Sequence, residues 1–360
     1  MRPELHIRQQ QGLTLVELMI ALTLGLIVIT ALVVVFSSSN QNYRQNEALA
    51  SLQDNARFAL DAVSRDLAMA GYWGGVRPID AGTNIQVSAA ARPGVAKASA
   101  GGDCGPATQA SGYDWLFDVA TAIVFRNHLA GTAINADFTC LLPADIQPNT
   151  DVLMIRRVSG IPTLTIDTAG TQVPATANTV ASRFYVKTNQ NTGTLYRAVG
   201  AFSVSAPLDC PDSMGLSAPC PPTANPVQVY AYTPQIYYIR NHVKPGDGIP
   251  MLCRRYLDDT SSSTASMVED CLAEGVENLQ IEWGIDNGSS GVNYLFAPTP
   301  AQLESARMAR IHILVRTTSQ NVQGSNDAKS FILADFTSPS QAGVLRRAFT
   351  TTVQLKNFQP

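Results

Sequence analysis

An uncharged apolar run near the N-terminus limits what this 360-residue chain can fold into. From Leu18 to Phe36 the sequence is Leu, Ile, Val, Ala and Met, interrupted only by Thr23, Gly25 and Thr30. As a helix, this run approaches the ~30 Å thickness of a bilayer's hydrocarbon core. The run is longer than the apolar core of a cleaved secretory signal, and it follows directly on an acid, Glu17. The sequence therefore predicts a membrane-spanning helix rather than an ordinary cleaved signal peptide.

Glu17 is expected to have a cationic partner. An ionised side chain in the bilayer core costs roughly 2.5 to 3.5 kcal/mol, so a carboxylate there either takes up a proton or pairs with a cation. No Lys or Arg occurs between Arg8 and Arg44. An N-terminal amine freed by cleavage of the chain would lie close enough to Glu17.

The leader "MRPELHIRQQQG" followed by "LTLVELMIAL" resembles the class III signal of type IV prepilins and type II secretion pseudopilins. In that family a membrane peptidase cuts after the glycine, here Gly12, and methylates the new first residue. That residue is Leu13, where the family usually has Phe. The resemblance implies that the Leu13 amine is the partner of Glu17, within one subunit or between neighbours in a filament. The basic leader, residues 1–12, predicts a cytoplasmic N-terminus and an exported remainder.

A helical pattern continues beyond the membrane segment. Its apolar stripe is Leu49, Leu52, Ala56, Leu60, Val63, Leu67 and Ala70, with Arg57, Asp61, Arg65 and Asp66 assigned to other faces. No proline occurs from Leu13 to Arg77 and Gly71 provides a stop, so the sequence predicts one helix over 13–70, about 87 Å long if straight. We expect residues 13–36 in the membrane and filament core, and residues 37–75 as an amphipathic half packed on a head. The polar stretch 37–42 could bend the helix where it leaves the membrane. Gly25 is a second weak point, because glycine destabilises the interior of a helix.

Residues 76–360 read as a β-rich globular head that contains disulfides. Composition predicts strands over 121–126, 151–158, 183–188, 194–199, 227–242, 250–257, 276–286, 309–317 and 349–357. Turns are predicted at 245–250 and 286–291, and surface excursions at 81–112, 203–226 and 258–266. The predicted fold class is α+β, a long N-terminal helix packed on a large, mainly antiparallel sheet region of one large or two small modules.

Four further segments are similar to the PilW family of minor pilins: "LQDNARFALDAVSRDLAMAGYWG", "YYIRNHVKPGDGIPMLCRRYL", "GVENLQIEWGID" and "LRRAFTTTVQLKN". The resemblance implies a pilin-like fold and a minor pilin that helps to initiate type IV pilus assembly at or near the pilus tip. It also implies partners: the prepilin peptidase, other minor pilins, the major pilin, the inner membrane and a PilY-type tip adhesin. Such a pilus serves twitching motility, adhesion or DNA uptake.

Six cysteines lie on the predicted exported side of the membrane. An even count in an oxidising compartment predicts three disulfides, and we expect local pairs: Cys104 with Cys140, Cys210 with Cys220, and Cys253 with Cys271. The sequence has no C-x-x-C motif and no His at zinc-ligand spacing from a Cys. We therefore expect no metal site.

Candidate catalytic residues are sparse. The four histidines are His6 in the leader, His128 and His242 at predicted strand ends, and His312 within a strand. The sequence contains no nucleophile elbow, zinc-protease motif, phosphate loop or EF-hand string. Asp247, Asp286 and Asn287 could help to hold calcium, but turn chemistry accounts for them better. The chain is therefore expected to be neither an enzyme nor a cofactor-binding protein.

Charge argues against nucleic acid as the main partner. The net charge of −3 becomes −4 when a leader with two arginines and one glutamate is removed, whereas a nucleic-acid binder needs clustered cations. Arg254 with Arg255, and Arg346 with Arg347, are instead expected to meet acidic faces of neighbouring subunits. Two alternatives stay open: a minor pseudopilin of type II secretion, and a membrane-anchored adhesin or ligand-binding protein.

Overall fold

The fold is α+β, as predicted, with one long N-terminal helix and largely antiparallel sheets. The computed structural model describes residues 12, 14–87, 104, 113–129, 138–167, 172–173, 180, 183–198, 226–258, 265–288, 291–318 and 329–358. The helices are α1 (Leu15–Ala68), α2 (Pro78–Asn84), α3 (Tyr113–Leu116) and α4 (Pro300–Leu303), with a 3-10 helix at Lys356–Phe358. His6, Leu13, Cys210, Cys220 and most of the excursions 81–112 and 203–226 lie outside the described residues.

Helix α1 is a single helix of 54 residues, about 81 Å long at the usual rise. It continues without interruption through Gly25 and residues 37–42. Its buried side chains all lie in its second half: Leu52, Ala56, Ala59, Val63, Asp66 and Leu67. The stripe predicted from apolar spacing is therefore confirmed in outline. Asp66, however, was wrongly assigned to an outer face, because only a partner distant in sequence makes its burial possible.

The described strands form three main sheets and one hairpin. Sheet I has the order β1 (Ile85–Val87), β7 (Gly193–Arg197), β6 (Phe184–Thr188), β8 (Val227–Ala231), β4 (Leu164–Ile166), β5 (Gln172–Val173). Sheet II has the order β11 (Ser266–Glu274), β10 (Met251–Asp258), β9 (Gln235–Arg240), β3 (Thr150–Ile155), β2 (Ile123–Leu129). Sheet III has the order β13 (Val292–Leu295), β12 (Val276–Asp286), β14 (Ala306–Arg316), β17 (Arg346–Gln354). The hairpin pairs β15 (Phe331–Leu333) with β16 (Phe336–Ser338).

Among the described residues there are three clusters of buried side chains, and two of them join the layers of the head. The first is enclosed by the α1 stripe, one face of sheet II and the inner face of sheet III, where Ile281 lies opposite Ile311. Within it, the rings of Phe125 and Trp283 meet edge to face with centroids 5.3 Å apart. The second core lies between the other face of sheet II and sheet I. Sheet II is therefore the central layer of the head.

Gly275 carries the chain from sheet II into sheet III. It separates β11 from β12 with φ of 78°, and its carbonyl accepts from the Arg316 N–H at 2.8 Å. A Cβ at this position would lie 2.4 Å from the Arg316 carbonyl oxygen. Only glycine combines that backbone conformation with so close an approach.

The structure corrects several predicted strands. The segment predicted as one strand over 227–242 is two strands in different sheets, β8 and β9, because Pro234 has no N–H to continue a ladder. β11 was not predicted, and its first residue had been assigned to a surface excursion. The short strands β1, β4, β5, β13, β15 and β16 were also not predicted. The predicted strand at 349–357 runs instead from Arg346 to Gln354, and the 3-10 helix follows it.

Two disulfides join described residues. Cys253 on β10 is bonded to Cys271 on β11, as predicted from their local spacing. Cys104 is bonded to Cys140. Glu269 also lies beside Cys253 and Cys271, but the disulfide uses both sulfur atoms, so these three residues do not form a metal site.

Candidate functional site

The N-terminus of α1 places Glu17 in the first helical turn. Thr14 is the N-cap, and its Oγ1 accepts a hydrogen bond from the Glu17 N–H at 3.3 Å. The carboxylate of Glu17 therefore lies at the positive end of the helix dipole, and it makes no ion pair with a described residue. The pattern Thr-x-x-Glu over 14–17 is a capping signature that sequence reasoning missed. Gly12 is exposed, with no atom within 4 Å of an added Cβ.

The first half of α1 presents apolar side chains on every face. From Leu15 to Phe36, the large apolar side chains are between 52% and 74% exposed. The hydroxyls of Thr23 and Thr30 donate to the Ile20 and Leu26 carbonyls, so they need no partner outside the helix. This segment is long and apolar enough to cross a membrane. Its surface requires lipid or other helices around it.

A buried ion pair fixes the last turn of α1 to the head. Arg157 donates from Nε to Asp66 Oδ1 at 3.1 Å, and its Nη2 contacts the same oxygen. The Tyr237 hydroxyl donates to Asp66 Oδ2 at 2.6 Å. Burial and, secondly, the Asp66 charge raise the pKa of Tyr237, so it remains a donor. We call Asp66, Arg157 and Tyr237 the helix clamp.

Further hydrogen bonds attach α1 along its second half. Asn55 Nδ2 donates to the Glu274 carbonyl at 3.0 Å, at the end of β11. Asn357 Nδ2 donates to the Ala70 carbonyl at 3.0 Å, just beyond the helix. The helix is therefore anchored to sheet II and to the 3-10 helix as well as through its apolar stripe.

The two arginine pairs proposed to meet other subunits are largely engaged within the chain. Arg254 forms an ion pair with Asp270 at 2.8 Å, directly across from it on β11. Arg346 forms a buried ion pair with Glu277, with 3% of its side chain exposed. The prediction was wrong for Arg346, which is buried against Glu277 on β12, another strand of sheet III. Arg254 already has an acidic partner on the adjacent strand, and its contact with another subunit stays a prediction. Arg347 is exposed.

The described histidines lie apart in the fold. His128 Nε2 contacts Gln280 Oε1 at 2.8 Å and Asp335 Oδ1 at 3.2 Å, and His242 Nδ1 contacts Asn241 Oδ1 at 2.6 Å. His312 Nδ1 contacts the Thr350 hydroxyl at 3.0 Å. Each imidazole thus has a local structural contact.

The acids considered for calcium stabilise turns. Asp247 accepts the N–H groups of Ile249, Lys244 and Val243, and these bonds, the first above all, lower its pKa. Asp286 pairs with Arg307 and accepts the Gly288 N–H, which likewise lowers its pKa. These partners occupy the oxygens that a calcium ion would need.

Comparison with known proteins finds two matched segments. Residues 236–357 match the family described as Type IV Pilus-assembly protein W. Residues 7–33 match the prokaryotic N-terminal methylation motif. The chain is also 36% identical over 66 residues to the pilin-like protein PilA3 of Thermus thermophilus, covering 18% of this chain and 28% of that protein. No solved structure matches the chain.

Proposed function

We propose that this pilin-like pilus component is a minor pilin of the PilW type, which helps to initiate type IV pilus assembly and lies at or near the pilus tip. The observation that carries the proposal is the division of α1 into an exposed apolar half and a half clamped to a β-rich head. The methylation motif and the PilW match support the same conclusion. The motif and the apolar helix also fit inner-membrane anchoring before assembly.

In the proposed organisation, residues 1–12 form a cytoplasmic leader and residues 13–36 the membrane-spanning half of the helix. Residues 37–75 form its amphipathic half, and residues 76–360 the periplasmic head. A prepilin peptidase cuts after Gly12 and methylates Leu13. The exposed apolar surface remains in lipid until extraction, and equivalent helices then rebury it in the filament.

Glu17 joins one subunit to the next in this proposal. The amine of Leu13, cationic near neutral pH, neutralises the carboxylate of Glu17 within one subunit or on a neighbour. Because Glu17 has no partner among the described residues, its position supports a contact between subunits. If Glu17 pairs with the N-terminal amine of the subunit ahead of it in the filament, another subunit must lie closer to the tip. This protein is then not the outermost subunit. Other minor pilins, the major pilin and a PilY-type adhesin are the proposed neighbours.

Mass spectrometry of the N-terminus tests the proposal. Cells carrying the wild-type chain, Gly12→Ser or the control Gln11→Ala are compared, and surface pili are counted in each strain. We expect a mature chain that starts at methylated Leu13 in the wild type and the control, and loss of both cleavage and pili with Gly12→Ser. A chain that keeps its leader while pili are unaffected would show an anchored protein instead.

A further inference from the structure

A short hairpin reaches from one sheet of the head to another. Its strands β15 and β16 belong to the connection between β14 and β17 of sheet III, while its turn contacts β2 of sheet II. Among the described strands these two pair only with each other, and an isolated hairpin is marginally stable. We call residues 331–338 the hairpin strap. We propose that the contact between His128 and Asp335, here called the latch, depends on pH: it holds the turn of the hairpin strap against sheet II at mildly acidic pH and weakens as pH rises.

The base of the hairpin strap is fixed by a permanently charged side chain. Arg346 is buried in its ion pair with Glu277. Its Nη1 donates to the Pro339 carbonyl at 2.7 Å, and its Nη2 donates to the Ser338 hydroxyl. Its guanidinium also lies 5.4 Å from the centroid of the Phe331 ring. Because arginine is always charged in proteins, these contacts stay in place as pH changes, and the base can act as a hinge.

The turn of the hairpin strap is held by groups that titrate. Asp335 Oδ2 accepts a hydrogen bond from Asn127 Nδ2 at 3.0 Å, and its Oδ1 lies 3.2 Å from His128 Nε2. The imidazole also meets the Phe336 ring edge to face, with centroids 5.7 Å apart. The side chains of His128 and Asp335 are 29% and 25% exposed, so solvent screens their attraction only in part. Histidine is the side chain whose charge ordinarily changes between about pH 5 and 8, and the latch attracts most strongly while the imidazole is charged.

Gln280 keeps the imidazole of the latch in place whatever its charge. The Gln280 amide nitrogen donates to the Asn149 carbonyl at 2.9 Å and to Asn278 Oδ1 at 2.8 Å. Its amide oxygen therefore faces His128 Nε2, at 2.8 Å. Nε2 must then carry a proton in the neutral ring as well as in the charged one. Loss of the second proton, from Nδ1, leaves the ring anchored and removes only its charge, so the side that is released is the turn that carries Asp335.

A second acid strengthens the pH dependence in the same direction. Asp151 on β3 accepts the His128 backbone N–H at 3.1 Å. Burial above all, and to a smaller extent the charge of Asp335, raises the pKa of Asp151. As pH rises, Asp151 becomes an anion that repels Asp335. Deprotonation of the imidazole and of Asp151 therefore both weaken the attachment of the turn.

The other charged groups around the latch are engaged elsewhere. On β14, His312 is the cross-strand neighbour of Gln280. Its Nε2 lies 3.9 Å from Glu282 Oε2 on β12. On β2 itself, Arg126 directs Nη1 to the Phe125 carbonyl at 2.9 Å and does not lose its charge. The pH dependence of the turn is therefore assigned to His128, Asp335 and Asp151.

Opening of the turn changes the environment of both strands of the hairpin strap. Leu333, directly before the turn, is 1% exposed, whereas the preceding Ile332 is 78% exposed. Leu333 pairs with Phe336 across the hairpin. Release of the turn exposes Leu333 and the ring of Phe336, and it leaves the backbone hydrogen bonds of a lone hairpin to break more often.

Hydrogen exchange of the full-length chain in detergent micelles tests this inference and needs no pilus. Protection factors, which correct for the pH dependence of exchange itself, are measured by mass spectrometry on a peptide that covers residues 329–339. In the wild type we expect the protection of this peptide to fall about fivefold between about pH 5 and 8, the upper end of what a partly exposed ion pair contributes.

Three variants assign the effect to the latch. Asp335→Asn keeps an acceptor but cannot form an ion pair with the imidazole, so it should abolish the pH dependence. His128→Gln keeps a donor to Gln280 but does not titrate, and it should remove most of the dependence, leaving the part due to Asp151. The matched control is His242→Gln, because His242 lies beyond the end of β9 and contacts its neighbour in the chain. The control should behave like the wild type.

Three outcomes contradict the inference. Wild-type protection that is equal at about pH 5 and pH 8 would overturn it, and this comparison decides the question even if a variant does not fold. A wild-type pH dependence that persists in Asp335→Asn would also overturn it. Loss of the dependence in His242→Gln would show a change of the whole head instead of the latch. None of these outcomes affects the proposed function, which is tested by N-terminal processing and piliation.

Discussion

At the scale of single residues, Asp66 decides how α1 is held. It is 6% exposed and receives hydrogen bonds from Arg157 and Tyr237. Breaking a buried pair by removing one partner leaves the other charge uncompensated, which costs roughly 3 kcal/mol or more. We expect Asp66→Ala to lower the free energy of unfolding by about that amount, measured by denaturant titration in detergent.

The same helix offers a matched control. Asp61 pairs with Arg65 on the exposed side of α1, where 52% and 78% of the two side chains are exposed. Such a surface pair contributes about 0.5 kcal/mol or less. Equal losses for Asp61→Ala and Asp66→Ala would contradict the helix clamp.

Asp151 makes the free energy of unfolding depend on pH. It is fully buried, and its two oxygens accept the N–H groups of His128 at 3.1 Å and Ile281 at 2.7 Å. Burial raises its pKa well above the usual value. The unfolded chain therefore releases this proton near pH 4 while the folded chain retains it. The contribution of Asp151 to stability falls as pH rises from about 4 through the raised pKa.

Asp151→Asn isolates that contribution. The amide does not titrate and still offers one acceptor oxygen. The free energy of unfolding of the wild type minus that of Asp151→Asn should decrease as pH rises above about 4. Denaturant titration at a series of pH values measures this difference. His312 acts in the opposite direction, because burial lowers its pKa, but it is common to both proteins. A difference that is constant with pH would refute the prediction.

At the scale of elements, apolar spacing was enough to predict the second half of α1, and composition was enough to predict β12 and β14. Their apolar residues face one core, so local sequence reveals them. β11 was missed because Glu269 and Asp270 interrupt its pattern, and their partners Arg240 and Arg254 lie on other strands. The helix clamp was also not predicted. It depends on residues far apart in sequence, whereas Gly12 and Glu17 belong to one local motif.

The disulfide between β10 and β11 stabilises the edge of sheet II. It links Cys253 and Cys271, 18 residues apart in sequence. Closing a loop of this length contributes about 3 kcal/mol by restricting the unfolded chain. In the absence of reductant, we expect the double variant Cys253→Ser, Cys271→Ser to unfold at a lower denaturant midpoint, by the equivalent of about 3 kcal/mol. Added reductant should lower the midpoint of the wild type more than that of this variant, and equal sensitivity would contradict the contribution.

At the scale of the whole molecule, the distribution of burial defines two environments on one helix. Among the described residues, the first half of α1 contributes no side chain to a buried core, and the second half shares its core with two sheets. Removing the first half from lipid is favourable only if other helices cover it. Within the described residues the cores of the head begin at Leu52, so reburial of the first half of α1 leaves their packing unchanged.

Glu17→Ala tests whether assembly depends on the acid at the start of α1. Thr14 caps the helix through the Glu17 N–H, so the cap survives the substitution. The helix loses only an acid in its first turn, which is worth about 0.3 to 1 kcal/mol. In the proposed filament, however, the Leu13 amine loses its counter-charge in an apolar core. Recovery in sheared pili should therefore fall about tenfold or more.

The matching control is Glu47→Ala, an exposed acid on the same helix that makes no described contact. Membrane levels and the Leu13 start should be unchanged in both variants, as judged by immunoblot and mass spectrometry. Loss from pili with Glu17→Ala alone would show that the acid acts during polymerisation rather than in folding or cleavage. Normal piliation and normal copy number in that variant would mean that Glu17 serves only the first turn of α1, and the pairing with an amine would have to be abandoned.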